Sequence, residues 1–391
     1  MATWTLEPDT VHLNHGAFGA CPAEVLAVQS EFRRQMEANP VGFMLRTYQP
    51  ALERSRTALA GFVGADEAGT VFVPNATYGV NSALRTIEPH LPEGAELVVT
   101  SHTYAACWRA VDFTARRCGG SVVVVDVPFP VSSPDEVTAA FAAAVTERTA
   151  MVLLDHVTSP TAIVMPLGDI VSMLDDSVAD SPIVVVDGAH APGMIDVDIV
   201  GLGVDFYTAN CHKWICSPKG AAFLWVGERW RDHAVSASIS FAEYGWHTSG
   251  STFHANFDWT GTDDPTARLS VAAAIETIGS HHPDGWDGIR SSNHALAMAG
   301  RQVLLDLWEQ SEPVPESMIG SIAALQVPDR LANRADGRRL AVELQEQFSI
   351  ELPVFAFPEP PSHLLRVSAQ QYNSIADYEA LATAMRTLDG S

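Results

Sequence analysis

The chain's 391 residues are 47% hydrophobic and 8% aromatic, enough to bury one large core with a smaller domain beside it. Its 23 basic and 47 acidic residues leave a formal charge of −24, which argues against nucleic acid or an anionic membrane as a partner. No run of about 18 apolar residues suits a bilayer span, and Met1-Ala2-Thr3-Trp4 lacks a basic segment followed by an apolar one, so a cytoplasmic protein is expected.

In chain order, the Val-rich runs at 70–73, 96–100, 121–125, 151–155 and 183–187 predict fully buried strands of a parallel sheet. Helix-like stretches lie between them at 78–87, 104–118, 136–146 and 167–174, and this alternation predicts a doubly wound α/β layer. Short apolar runs at 204–207 and 221–226 extend the sheet, the second antiparallel. Past Pro265 the pattern changes to long helices over 266–278 and 289–308. Strand-like pieces at 351–357 and 363–368 then predict a smaller α+β domain. Phe357-Pro358-Glu359-Pro360-Pro361 reads as a stiff surface connector.

In an open α/β sheet the ligand lies beyond the carboxyl ends of the strands, so the residues after each run carry the functional information. Asn75, Ala76 and Thr77 follow the first run and open a helix. Free N–H groups and a partial positive charge there suit a phosphate, although an asparagine or threonine placed like Asn75 or Thr77 is more often a plain helix cap. Tyr104 follows the second run and is flat enough to stack on a cofactor ring or simply to pack. The run at 151–155 continues into Asp155-His156-Val157-Thr158-Ser159. Asp187 closes the next Val-rich run, where a buried carboxylate needs a partner. A protonated pyridine nitrogen would supply it; capping of the following loop is the other reading. His190, three residues on, could reach a phenolate oxygen.

Only two lysines occur, Lys213 and Lys219, and Lys213 stands in Asn210-Cys211-His212-Lys213-Trp214. A lysine suited to a Schiff base, downstream of a strand-end aspartate, points to pyridoxal phosphate. The scarcity of lysine fits an arginine-rich, GC-rich genome and says nothing of purpose by itself. Five cysteines, Cys21, Cys107, Cys118, Cys211 and Cys216, form no CxxC pair and no metal spacing with histidine, so no metal centre is expected.

Asn75-Ala76-Thr77, Val186-Asp187-Gly188-Ala189-His190-Ala191-Pro192-Gly193 and His212-Lys213-Trp214 resemble the class V branch of the fold-type I pyridoxal-phosphate enzymes. Within that branch the chain is similar to the isopenicillin N epimerases and their relatives. Three further segments carry that likeness: Leu13-Asn14-His15-Gly16-Ala17-Phe18-Gly19, Asp258-Trp259-Thr260-Gly261-Thr262-Asp263-Asp264-Pro265 and Leu365-Arg366-Val367-Ser368-Ala369-Gln370-Gln371-Tyr372-Asn373. The chain departs from the epimerases at Ala76, where they have Val, and at Thr262-Asp263-Asp264-Pro265, where they read Thr-Arg-Asp-Ile. The resemblance covers nearly the whole chain. It implies an N-terminal segment at 1–18 joining a small domain to the active site, and a cofactor-binding domain with a mostly parallel seven-stranded sheet at 19–265. The small C-terminal α+β domain would be 266–391.

By the same resemblance, Lys213 would carry the cofactor, Asp187 would keep its ring nitrogen protonated, and Tyr104 would stack over the ring. His190 and Ser159 would face the phenolate oxygen. Asn75, Ala76, Thr77, Asn210 and His212 would surround the phosphate, with Thr262 supplied by the partner subunit of a homodimer. Arg366 would clamp the substrate carboxylate, a task suited to a planar bidentate donor. Asn14, Phe18 and Arg46 would shape the substrate pocket.

The implied reaction runs through an external aldimine at Cα or Cβ of an amino acid. A cysteine conjugate from antibiotic or other natural-product assembly is the first expectation, by C–S β-elimination or by decarboxylation-coupled oxidative deamination. Epimerisation is the second, and a catalytically inactive cofactor-binding regulator the third. No cysteine follows Cys216, so the mobile-loop cysteine of the cysteine desulfurases is missing and a persulfide mechanism is not expected.

Overall fold

The computed structural model describes residues 4–177, 181–240, 251–332 and 337–390; residues 1–3 and 391, the outermost ends of the expected N-terminal segment and small domain, lie outside them. Seven strands form one sheet: β1 (Thr70–Val73), β2 (Glu96–Thr100), β3 (Ser121–Val125), β4 (Thr149–Asp155), β5 (Ile183–Asp187), β6 (Phe206–Asn210) and β7 (Ala222–Val226). Their order is β1-β7-β6-β5-β4-β2-β3. The five strands from β6 to β3 run parallel, and β7 is antiparallel to both β6 and β1. This is the mostly parallel, doubly wound layer that the alternation predicts.

Two strands differ from expectation. β1 does not join a parallel neighbour but sits at one edge against antiparallel β7. β3 forms the other edge and is half exposed, with Val124 turned to solvent. A run of β-branched residues favours extended backbone in either setting, so it cannot tell an edge from a centre.

The two-residue alternation of the central strands assigns each side chain to a face. Leu97, Val99, Met151, Leu153 and Val185 pack under α1 (Ala76–Ile87) and α2 (Ala105–Arg117). Val98, Val152, Leu154, Val184 and Val186 pack on the other side, with helices Tyr48–Phe62, Pro134–Ala144 and Leu167–Ser177. The same alternation brings Asp155 and Asp187, register partners at the ends of β4 and β5, to the α1 and α2 side. Asn75 caps α1 by accepting the Tyr78 N–H at 2.9 Å. Gly79 lets that helix press on β6, since a Cβ there would lie 2.0 Å from Thr208 Oγ1.

The C-terminal part holds a second, antiparallel sheet of β8 (Ile322–Gln326), β9 (Val354–Ala356) and β10 (His363–Ser368), in the order β9-β10-β8. Its core with helices Gly285–Trp308 and Ile375–Asp389 contains Leu304, Leu325, Leu365, Val367, Tyr378 and Leu381. The helix expected over 266–278 is divided into Thr266–Leu269 and Val271–Gly279. At the break Ser270 bonds its hydroxyl back to the Thr266 carbonyl at 2.8 Å. The strand expected over 351–357 is interrupted around Pro353, which has no N–H to give a ladder. Phe357 is not a surface connector residue: its ring meets His102 at 4.8 Å and Phe129 at 6.0 Å. Among the described residues no helix is long and apolar enough to cross a membrane.

A buried ion pair ties helix Tyr48–Phe62 to the region near Asp258. Arg56, with 0% side-chain exposure, meets Asp258, with 1%, at 2.7 Å and also donates to the Thr70 carbonyl. Replacing Arg56 with Met would leave the Asp258 carboxylate buried without its cation. The expected loss is about 3–5 kcal/mol of stability, read from the shift of a chemical denaturation curve.

Candidate active site

The carboxyl ends of the central strands, residues 16–18 and β10 enclose a cavity of about 370 Å³, a volume suited to a small molecule. Of the residues singled out in the sequence, Phe18, Asn75, Ala76, Thr77, Tyr104, Ser159, Asp187, His190, Asn210, His212, Lys213 and Arg366 line it. Asn14, Arg46 and Thr262 do not. Asn14 stands just before the lining segment, with Oδ1 buried and without a hydrogen-bond partner among the described residues. Arg46 is exposed on the π-helical turn Phe43–Thr47, and Thr262 is exposed on a loop. Asp155, Val157, Pro353 and Phe355 also line the cavity; the first two stand in the strand-end segment 155–159, for which the sequence suggests no role beyond that of Ser159, and nothing local marks the other two.

Lys213 Nζ lies 3.0 Å from His190 Nε2. Withdrawal from water, with the Arg366 charge adding to it, lowers the Lys213 amine to about 7, against the opposing pull of Asp187. His190 is held neutral by burial and by the Lys213 charge. The lysine's backbone is fixed from the N-terminal segment: His15 Nε2 lies 3.0 Å from the Lys213 carbonyl oxygen, and His15 Nδ1 lies 3.1 Å from the Tyr372 hydroxyl. Gly19, at φ +69°, rests on the same loop so closely that a Cβ would fall 1.9 Å from the His212 carbonyl oxygen. His15 was legible only as part of its segment, because a histidine between Asn14 and Gly16 carries no local sign of reaching a lysine some two hundred positions away.

A free amine near neutrality has a direct consequence. In cofactor-free protein, capture of an aldehyde by Lys213 should quicken as pH rises through about 7 and level off above it, because only the unprotonated amine attacks. Stopped-flow absorbance across this range checks it; a rate still climbing into the range of an ordinary lysine would contradict it.

Asp187 accepts the Cys107 S–H at 3.1 Å and the Ala189 N–H at 2.9 Å. Burial pushes its carboxyl upward, so a cation placed against it would be strongly favoured. At the start of α1 the Ala76 N–H donates to Asn210 Oδ1 at 2.9 Å, joining that helix to the end of β6. His212 Nδ1 lies 3.1 Å from the Ala221 carbonyl, and burial lowers its ring to about 4.

Arg366 occupies the middle of β10, whose six residues are all buried. Leu365 and Val367 enter the small core, so alternation turns Arg366 toward the cavity. It donates to the Ser159 carbonyl at 2.5 Å and lies 5.3 Å over the Phe355 ring, while Nε has no partner among the described residues. Burial lowers it only to about 10, leaving it cationic at neutral pH.

One cavity thus collects a carboxylate in need of a cation, the N-terminus of α1 with its partial positive charge, and an amine close to neutral. Pyridoxal 5'-phosphate presents the matching pyridinium, phosphate and aldehyde. Residues 11–324 match the model of the class-V aminotransferases. The chain belongs to that family. It is a pyridoxal-phosphate-dependent enzyme, which sets aside the expectation of an inactive regulator. The resemblance to the isopenicillin N epimerase-like branch also holds along the chain. Isopenicillin N epimerase of Amycolatopsis lactamdurans is 32% identical over 98% of this chain and 96% of its own length. A putative L-cysteine desulfhydrase of Oryza sativa subsp. japonica is 31% identical over 96% of this chain and 84% of its own. Among solved structures, the cystine C–S lyase C-DES in complex with cysteine persulfide superposes with a TM-score of 0.80 at 19% identity, covering 98% of each chain, and shares the fold-type I architecture.

Proposed function

We propose that this enzyme cleaves the C–S bond of an S-substituted cysteine by β-elimination. The observation that carries the proposal is the pairing of Lys213 and Arg366 in one cavity: an amine near neutrality beside a buried guanidinium with an unpartnered Nε. Arg366 takes the substrate carboxylate in a bidentate grip and turns Cα toward Lys213. Lys213 Nζ, which anchors the cofactor before the substrate arrives, accepts the Cα proton. The Cβ–S electron pair then leaves with sulfur. When bound, pyridoxal phosphate supplies the electron sink for that proton loss. Asp187 would keep the ring nitrogen protonated, Tyr104 would stack on the ring, and His190 and Ser159 would serve the phenolate oxygen. Asn75, Ala76, Thr77, Asn210 and His212 would hold the phosphate, joined by Thr262 from the second subunit of a homodimer. Asn14, Phe18 and Arg46 shape the substrate's entrance. We also assign residues 19–265 to the cofactor domain and 266–391 to the small domain, in a cytoplasmic enzyme of natural-product assembly. A relative named for cysteine desulfhydration supports the elimination reading.

Epimerisation at Cα is the second reading, favoured by the 32% identity to an isopenicillin N epimerase. Both begin with the same proton transfer and part at the fate of Cβ. Incubation with an S-alkyl cysteine in heavy water separates them. Elimination predicts released thiol and keto acid in equal amounts. Inversion with Cα deuterium and no thiol would replace the lyase reading, and oxygen uptake with carbon dioxide release would point to oxidative deamination.

A further inference from the structure

Asp155 closes β4 as Asp187 closes β5; the two are register partners on the same face of the sheet and both line the cavity. Neighbouring strands lie about 4.8 Å apart, so two buried carboxylates meet here side by side. Several groups face the pair. The Thr103 hydroxyl and the Tyr104 N–H, leading into α2, face Asp155. Cys107 from α2 and the Ala189 N–H bond to the two oxygens of Asp187. Lys213 is the cation facing Asp187, and the Tyr207 hydroxyl, bonded to His156 at 2.7 Å, stays neutral nearby. One amine that is itself close to neutral does not balance two carboxylates. The oxygens differ as well: both of Asp187 accept a hydrogen bond, whereas Asp155 Oδ2 is buried with no partner among the described residues.

We propose that Asp155 and Asp187 hold one proton between them, seated on Asp155 Oδ2, so that Asp187 remains the single ionised carboxylate offered to the cofactor ring. Asp155 is then a positioning residue that acts through Asp187. Two adjacent carboxylates out of water do not both ionise, and the proton takes the oxygen that no donor faces, which here is Asp155 Oδ2. Burial and the neighbouring Asp187 charge both push the Asp155 carboxyl well upward, in agreement with that seat. The proposal rests on the reading of Asp187 as the partner of the ring nitrogen, but the shared proton has its own signature.

Infrared difference spectroscopy between wild-type and Asp155→Asn protein, in light and heavy water at neutral pH, tests it. The wild-type protein, with and without bound cofactor, should show the carbonyl stretch of a protonated carboxylic acid, shifted by deuterium and lost in Asp155→Asn. Absence of that band from the wild type overturns the proposal whether or not the variant folds, and so does its persistence in Asp155→Asn. Asp187→Asn separates the two ideas. If it binds pyridoxal phosphate as tightly as the wild type, the ring-nitrogen reading of Asp187 fails, while the wild-type band still decides where the proton sits.

Discussion

Lys213→Ala is expected to abolish the borohydride-reducible visible band of the purified protein and to slow turnover by on the order of 10³-fold or more. Both losses would arise from one atom, because in the proposed reaction Nζ both anchors the cofactor aldehyde and takes the Cα proton. Lys219, the other lysine, is exposed and outside the cavity lining, so it offers no replacement. The effect goes beyond removal of an amine. The Lys213 backbone is held from below by His15 and Gly19, and its amine is set near neutrality by burial and by Arg366, so a lysine placed elsewhere would inherit neither the position nor the pKa. Absorbance before and after borohydride and a coupled thiol assay read the two losses separately. A variant that kept an identical reducible adduct would show that the anchoring lysine had been misassigned.

The sheet was legible because each central strand is an unbroken apolar run ending in a residue that apolar packing does not explain. Asp187 is the clearest case. Asp155 ends its strand in the same way, but its meaning lies in the register of β4 against β5, which a single strand does not disclose. The same limit explains β1 and β3: Val-rich runs describe the backbone and not the neighbours. Helices Ala23–Ala38, Tyr48–Phe62 and Ile375–Asp389 mix many charges with their apolar stripe, so no continuous hydrophobic pattern marks them in the sequence. Strand β8 hides between polar turns for a similar reason. The N-terminal segment was recognisable by resemblance, but its action on Lys213 depends on contacts between residues about two hundred positions apart. The expectation that Arg366 clamps a carboxylate rests on family likeness alone. In the structure a local reason appears, because a strand whose flanking leucine and valine enter one core must turn the residue between them to the other side.

Arg366 therefore carries the second large expectation. Arg366→Leu should lower kcat/KM for an S-alkyl cysteine by about 10²- to 10³-fold, the usual scale for truncating one partner of a buried charge pair. An S-alkyl cysteamine, which has the amine but no carboxylate, should lose far less, and that difference separates lost substrate recognition from general damage. Arg366→Lys should recover little, because an ammonium on a flexible stem cannot reproduce two parallel N–H donors. The same substitution has an electrostatic effect at a distance. The Arg366 charge helps hold the Lys213 amine down at about 7, so its removal should move that amine upward. Less free amine would then be present at neutral pH, and the pH profile for aldehyde capture should shift toward alkaline values in Arg366→Leu. A variant with weakened catalysis but an unmoved profile would confine Arg366 to substrate binding. A shift in both assigns it two tasks, gripping the carboxylate and keeping the base unprotonated.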